Sequence, residues 1–235
     1  MTYAILQREL VTPELERLKR AFSVRPEFTG LDAATVAGDA YGILLRGLDL
    51  EQADSLQTAL MREGIDAVVV EEPKLPTLAP GRMGRQAELD ARHLTLYDPM
   101  RRSVAVTWED MCFISAGLVK TSESRKPRPG LEAPASKEDL HRHLMLEIFL
   151  REGAGRFSID GDEFDYAHLG QKLSTDPAVN FVFLVQQLAR NAPHAGLNRG
   201  ACAALRRPPE LFPYPSKQAF NEELVWMLWR ISQVE

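Results

Sequence analysis

Residues Arg92–Lys120, RHLTLYDPMRRSVAVTWEDMCFISAGLVK, decide how the chain is read. His93 to Tyr97 alternates, with Leu94 and Leu96 on one face and Thr95 and Tyr97 on the other. Asp98-Pro99 opens a turn, because proline presets φ and aspartate bonds its own backbone. Val104, Val106 and Trp108 alternate on the return, which predicts a half-buried antiparallel hairpin. Glu109-Asp110 breaks the run. Met111 to Val119 is then apolar and nearly continuous, the pattern of a buried strand. A buried Trp108 needs an acceptor for its indole N–H.

Upstream, Thr2 to Leu10 reads as a strand that sets Tyr3, Ile5 and Gln7 against Ala4 and Leu6. Thr12 is the expected N-cap of the first helix, with Pro13 at the first helical position and Leu15, Leu18 and Phe22 at helical spacing. A small-residue helix over Leu31 to Ala40, a strand from Tyr41 to Leu45, a helix from Leu50 to Glu63 and a strand from Ile65 to Val70 follow. Gly64 is the expected helix stop. The stretch 73–85, PKLPTLAPGRMGR, has three prolines and two glycines in thirteen residues and reads as a linker.

Downstream, residues 121–140 are polar and Pro-rich, the composition of a long loop. Lys120, Arg125, Lys126 and Arg128 form a short basic cluster there. Leu144, Leu146, Ile148 and Leu150 alternate as a strand. Arg156 to Ile159 is another, and Asp160-Gly161 is a favoured hairpin pair that leads into a strand with Phe164 and Tyr166. The IDGDEFD stretch fails the calcium-loop pattern, since Phe164 takes a ligand position and the glycine comes too early. Asp176-Pro177 caps an apolar helix through Arg190. After a Pro-rich stretch, a last helix carries Phe220, Leu224, Met227, Leu228 and Ile231 on one stripe, and Val225, Trp226 and Trp229 on a second. Two apolar faces predict packing on a domain and contact with something further, either the N-terminal domain or another copy of the chain. Arg230 is spaced to stack on a Trp ring.

The composition is that of an ordinary globular chain: 235 residues, 45% hydrophobic, 26% charged. A net charge of -5 and a pI near 5.6 argue against a large nucleic-acid footprint. The first ten residues include Arg8 and Glu9 and have no apolar signal core, and no apolar run reaches membrane-spanning length. A cytoplasmic location is therefore expected. Two cysteines, Cys112 and Cys202, make no disulfide framework.

Two resemblances follow from these elements. The stretch GLDLEQADSLQTALMREGIDAVVV places Ala53, Leu56, Ala59, Leu60, Gly64, Val68 and Val70 where the C-terminal domain of the bacterial ribosomal stalk protein has its helix core, glycine stop and last strand. Residues 2–72 thus resemble that domain, a fold shared with the adaptor of the Clp protease. The stalk family recruits translation GTPases through a basic helix after a Gly-Leu turn. Here Gly30-Leu31 leads into Asp32-Ala33-Ala34-Thr35-Val36-Ala37 without lysine, so the resemblance implies a binding scaffold rather than factor recruitment. The pattern VTWEDMCFISAG, with strands, a long loop and an apolar helix around it, makes residues 84–192 similar to a pleckstrin-homology-like barrel. Some members of that superfamily bind phosphoinositides through a hairpin loop; the matching hairpin here is YDPMRRSV, with Arg101 and Arg102. The whole chain resembles bacterial proteins that join these two parts.

The expected architecture is α+β. A stalk-like domain covers 1–72 and a linker 73–85. An antiparallel barrel-like domain closed by a helix covers 86–193, and a helical extension 194–235. The leading expectation is a non-catalytic protein-binding or scaffold protein, self-associating through Phe220, Leu224, Trp226 and Trp229. A module for anionic lipid or a phosphorylated ligand, using Arg101, Arg102, Arg125, Lys126 and Arg128, is the alternative. A metal-dependent enzyme using His141 and His143, with His93, His168 or Cys202 recruited, is the second alternative, since an i,i+2 pair shares one side of a strand. The expected partner is a protein, with a homo-oligomer as one form. No nucleic acid, integral membrane segment, nucleophile, phosphate loop or cofactor motif is read from the residues.

Overall fold

In the computed structural model the elements run, in chain order, β1 (Tyr3–Gln7), α1 (Leu15–Phe22), α2 (Gly30–Asp39), β2 (Ile43–Leu48), α3 (Leu50–Arg62), β3 (Ala67–Glu71), β4 (Arg82–Gly84), β5 (Gln86–Leu89), β6 (His93–Tyr97), β7 (Ser103–Thr107), β8 (Met111–Ser122), β9 (Leu140–Leu150), β10 (Arg156–Asp160), α4 (Pro177–Asn191), β11 (Gly196–Leu197), α5 (Arg199–Ala204), β12 (Pro213–Tyr214) and α6 (Lys217–Ser232). The structure describes residues 1–28, 30–39, 41–122, 140–151 and 155–233. It is mixed α and β, and none of its described helices is long and apolar enough to cross a membrane. The chain forms two compact units, Met1–Leu78 with Gln218–Glu235, and Ala79–Lys217.

The first unit is built on a three-stranded antiparallel sheet of order β2-β1-β3. β1 is apolar on both faces, so both must be covered. On one face Ile5 packs with Leu18 and Phe22 of α1 and with Leu56 and Leu60 of α3. On the other, Ala4 and Leu6 meet Leu75 and, from α6, Val225 and Trp226. The helix ends are chemically specified. Asp49 Oδ1 accepts from the Gln52 N–H at 2.8 Å while the Asp49 N–H donates to Gln52 Oε1 at 3.0 Å, a capping box for α3. Gly64, at φ +74, ends that helix in the left-handed region. α1 starts at Leu15, with Glu14 rather than Thr12 at its N-cap.

α6 corrects the expected domain division. It belongs to the first unit, whereas residues 194–217 belong to the second and the boundary falls at Leu78/Ala79. The physical reason is the second apolar face of the sheet, which α6 covers. The Trp226 indole N–H donates to the Gln7 carbonyl at 2.7 Å. Its ring lies on Gly42, whose φ is +92 and where a Cβ would stand 2.2 Å from Trp226 Cγ. Arg46 pairs with Glu222 at 2.7 Å, and the Arg230 guanidinium stacks 5.3 Å from the Trp226 ring centroid.

In the second unit, β8 and β9 form one long antiparallel ladder, from Met111↔Leu150 to Ser122↔Leu140, and β10 extends it antiparallel to β9. β5, β6 and β7 form a separate three-stranded sheet. The core lies between these sheets and α4, where Leu94, Leu96, Ile114, Leu146 and Ile148 pack with Phe181, Val185 and Leu188. Trp108 is buried, and its indole N–H donates to the Asp90 carbonyl at 3.1 Å, the acceptor the sequence required. Asp176 caps α4 by accepting from the Ala178 N–H at 2.9 Å.

Three expectations for this unit are corrected. The described strands lie in two sheets and close no barrel. The stretch read as linker contains β4, which pairs in parallel with β10. β10 does not turn back into a strand at Phe164 and Tyr166; Gly161 lacks the positive φ of a type I′ turn. Gly161 is required instead by packing, since a Cβ there would meet Phe181 Cδ2 at 2.6 Å and Leu144 Cβ at 2.7 Å.

The free edge of β8 is finished by three short pieces. β11 pairs in parallel at Phe113 and Ile114, and β12 at Leu118 and Val119. Between them a side chain replaces the strand. Asn198 Oδ1 accepts from the Ala116 N–H at 2.9 Å, and its Nδ2 donates to the Ala116 carbonyl at 3.0 Å. The same amide accepts from the Ala201 N–H at 2.8 Å, capping α5, and donates to Tyr214 Oη at 2.8 Å. Asn198 is 1% exposed, so these bonds answer the requirement that buried polar groups be paired. Gly200 then lies against β8 so closely that a Cβ would clash with the Ala116 carbonyl.

Candidate functional site

The β6–β7 hairpin carries Arg101 and Arg102, two of the residues read from the sequence as ligand contacts. Asp98 organises the turn: its Oδ1 accepts from the N–H groups of Met100 and Arg102 at 2.8 and 2.9 Å, and its Oδ2 takes the Arg102 guanidinium at 2.6 Å. The Arg102 backbone N–H, then its guanidinium, then the Met100 N–H hold the Asp98 carboxyl below the usual carboxylate range. Arg101 completes the turn at φ +60, with its side chain exposed.

This hairpin forms one wall of a groove of about 480 Å³. Its floor is apolar, with Leu96 and Phe157 nearly buried and Val104 partly so. Met83 and Pro99 flank the floor, and Arg82 and Arg102 stand at the rim. Arg102 is paired with Asp98, whereas Arg82 has no ion-pair partner among the described residues, so the lining carries one net positive charge although the chain is acidic overall. Two of the lining strands, β4 and β7, are sheet edges, and no described strand pairs with the outer side of either. Edge strands present free N–H and C=O groups. Arg82 and β4 were missed from sequence because the Pro/Gly content of 73–85 hid a three-residue strand.

The remaining candidate residues are dispersed. Arg125, Lys126 and Arg128 lie outside the described residues. Phe220, Leu224 and Trp226 are 0%, 0% and 4% exposed, so they are buried within the chain and offer no surface to another copy; Trp229 is partly buried. This corrects the self-association surface: the second apolar stripe is covered within the chain itself.

The histidine pair is also not used as expected. His141 and His143 share a face of β9, but among the described residues only His143 falls in a cluster of three ligand-type groups. His143 Nδ1 is 3.6 Å from Asp162 Oδ2 and 4.0 Å from Asp160 Oδ2. His93 lines a different recess, with Trp108, Glu109, Asn191 and His194. His168 packs against the rings of Phe164 and Tyr166, and Cys202 is exposed on α5. None of these three joins His143.

The sheet face opposite the α4 core carries a buried polar network. Glu147, 2% exposed, accepts from Arg156 Nε at 2.8 Å and Ser158 Oγ at 2.7 Å. Arg156 also donates to the Ala79 carbonyl and lies over the Phe149 ring, so the buried carboxylate is neutralised and fixed in place. This network has the character of a structural ion pair.

Comparison with protein-family models, curated proteins and solved structures returned no match for the chain.

Proposed function

We propose that the protein is a non-catalytic binding protein whose second unit takes an extended, acidic segment of a partner protein into the groove beside the β6–β7 hairpin. One observation carries this reading: two edge strands, β4 and β7, line a single apolar groove with arginines at its rim. Strand addition at such an edge draws affinity from main-chain hydrogen bonds and specificity from pockets for alternate side chains. Leu96, Val104 and Phe157 suit the apolar side chains of the segment, and Arg82 suits its carboxylates. The resemblance of residues 2–72 to a scaffold-type fold supports a binding role by analogy.

The test is a peptide-display selection against the full chain, followed by affinity measurement of the enriched peptides by fluorescence anisotropy. The expected winners alternate apolar and acidic residues and bind more weakly as ionic strength rises. Arg82→Glu is expected to weaken them by roughly tenfold or more, the value of one charge-assisted hydrogen bond. Failure to enrich acidic peptides would overturn the reading. Binding to anionic vesicles instead, lost in Arg82→Glu, would move the same groove to a membrane-surface role.

A further inference from the structure

We infer that His143, Asp160 and Asp162 form a binding site for a first-row divalent cation. The three residues come from β9, the last position of β10 and the turn just beyond it. The strand register brings them together: Asp160 pairs with Met145, so His143 lies past the end of β10, beside the chain as it turns through Gly161 and Asp162. Each residue offers one donor atom, and the three atoms lie within 4.8 Å of one another.

The spacing fits a shared ion. Ligands at about 2.1 Å in a tetrahedral arrangement stand about 3.4 Å apart. The imidazole nitrogen is 3.6 and 4.0 Å from the two carboxylate oxygens, so small side-chain rotations bring all three onto one coordination sphere. One nitrogen and two carboxylate oxygens suit zinc or manganese; calcium takes six to eight oxygens. All three side chains are partly exposed, which leaves room for water or an exogenous ligand at the remaining positions.

Charge gives an independent argument. Two carboxylates converge here, and neither has a lysine or arginine partner among the described residues. Their negative field reaches Tyr166, whose hydroxyl is raised first by burial and then by Asp162 and Asp160. A divalent cation is the complement that this local charge lacks.

The scaffold is fixed without the ion. The Leu144 N–H donates to Asp162 Oδ2, the Asp162 N–H to Asp160 Oδ1, each at 3.0 Å, and the Gly161 N–H to the Leu144 carbonyl at 2.6 Å. Gly161 is wedged against Leu144 and Phe181, which holds the turn in place. The site therefore resembles neither a calcium loop nor an i,i+2 histidine pair.

The experiment uses the full chain stripped with a chelator and titrated with Zn²⁺ by calorimetry, with bound metal counted by mass spectrometry after dialysis. One Zn²⁺ per chain is expected. Asp160→Asn retains an acceptor for the Asp162 N–H and should weaken Zn²⁺ by roughly tenfold or more, with an unchanged melting temperature in the metal-free state. His143→Ala should do the same, whereas His141→Ala should leave affinity and stoichiometry unaltered. Absence of saturable binding would overturn the assignment. Binding that survives Asp160→Asn and His143→Ala, or is lost equally in His141→Ala, would overturn it as well, since it would then lie on other surface histidines.

Discussion

Replacing Asn198 by Asp exchanges an NH2 group for an oxygen at a position that is 1% exposed, and it tests the side chain that stands in for a strand. Oδ1 still accepts from the Ala116 and Ala201 N–H groups. The other oxygen, however, faces the Ala116 carbonyl, which the native amide reaches at 3.0 Å, and donates nothing to Tyr214. Two donated hydrogen bonds are lost, at about 1 kcal/mol each, and a buried carbonyl is set against a carboxylate oxygen, at about 1–3 kcal/mol more. The expected loss at neutral pH is about 3–5 kcal/mol, which for a chain of this size lowers the melting temperature by roughly 6–20 °C. The loss must also depend on pH. Burial and the facing carbonyl raise the pKa of the new carboxyl in the folded state above its unfolded value of about 3.9. The folded variant then binds more protons than the unfolded chain, so its stability is greatest below that unfolded value and falls as pH rises towards the folded one, by up to about 1.4 kcal/mol per pH unit. Thermal melts of variant and native chain, compared pairwise by circular dichroism at pH 5 and pH 7.5, read this directly. A gap in melting temperature that is small at pH 7.5, or the same at both pH values, refutes the bridging role of the amide.

Gly42→Ala places a Cβ 2.2 Å from Trp226 Cγ at a φ of +92. Overpacking and left-handed strain together are expected to cost about 2–5 kcal/mol in a denaturant melt, with Trp emission shifted to the red. In a Trp226→Ala background the steric part should vanish, so an undiminished cost there would refute the contact. Burial pulls the His168 pKa down, outweighing Gln187 and Asp165, which act the other way. The folded state then takes up its proton at lower pH than the unfolded chain, so this residue's contribution is present above the unfolded value of about 6.5 and lost as pH falls through the folded one. His168→Phe is expected to flatten the decline in melting temperature below about pH 6.5, and an unaltered decline in the variant counts against that burial.

How far the sequence foretold the structure depends on how local each signal was. The helix α3 was legible in detail, because its apolar spacing and Gly64 stop lie within one stretch. The β6–β7 hairpin was legible for the same reason: Asp98-Pro99 carries its own turn chemistry, and the flanking alternation fixes which faces are buried. Trp108 even announced its need for an acceptor, though not that the Asp90 carbonyl would supply it. By contrast, α6 showed two apolar faces but not what covers them. One is met by Ala4 and Leu6, more than two hundred residues away in the chain, and no local pattern encodes that pairing. β4 is too short, and too rich in flanking glycine, to register as periodicity at all.

The same distinction separates the two histidines. On the strand alone, His141 and His143 are equivalent: exposed-face positions two residues apart, which is why they read as a pair. Register breaks the equivalence. β10 ends opposite Met145, and of the two histidines it is His143, two residues beyond that point, that comes beside Asp160 and Asp162. Those aspartates were weighed as ligands within their own loop, where spacing and the position of Phe164 excluded calcium. Their partner lies on a neighbouring strand that a local motif does not include. A site whose donors are gathered by strand register leaves no short signature, because moving the register by one residue would turn His143 to the opposite face and place a different side chain beside the two carboxylates.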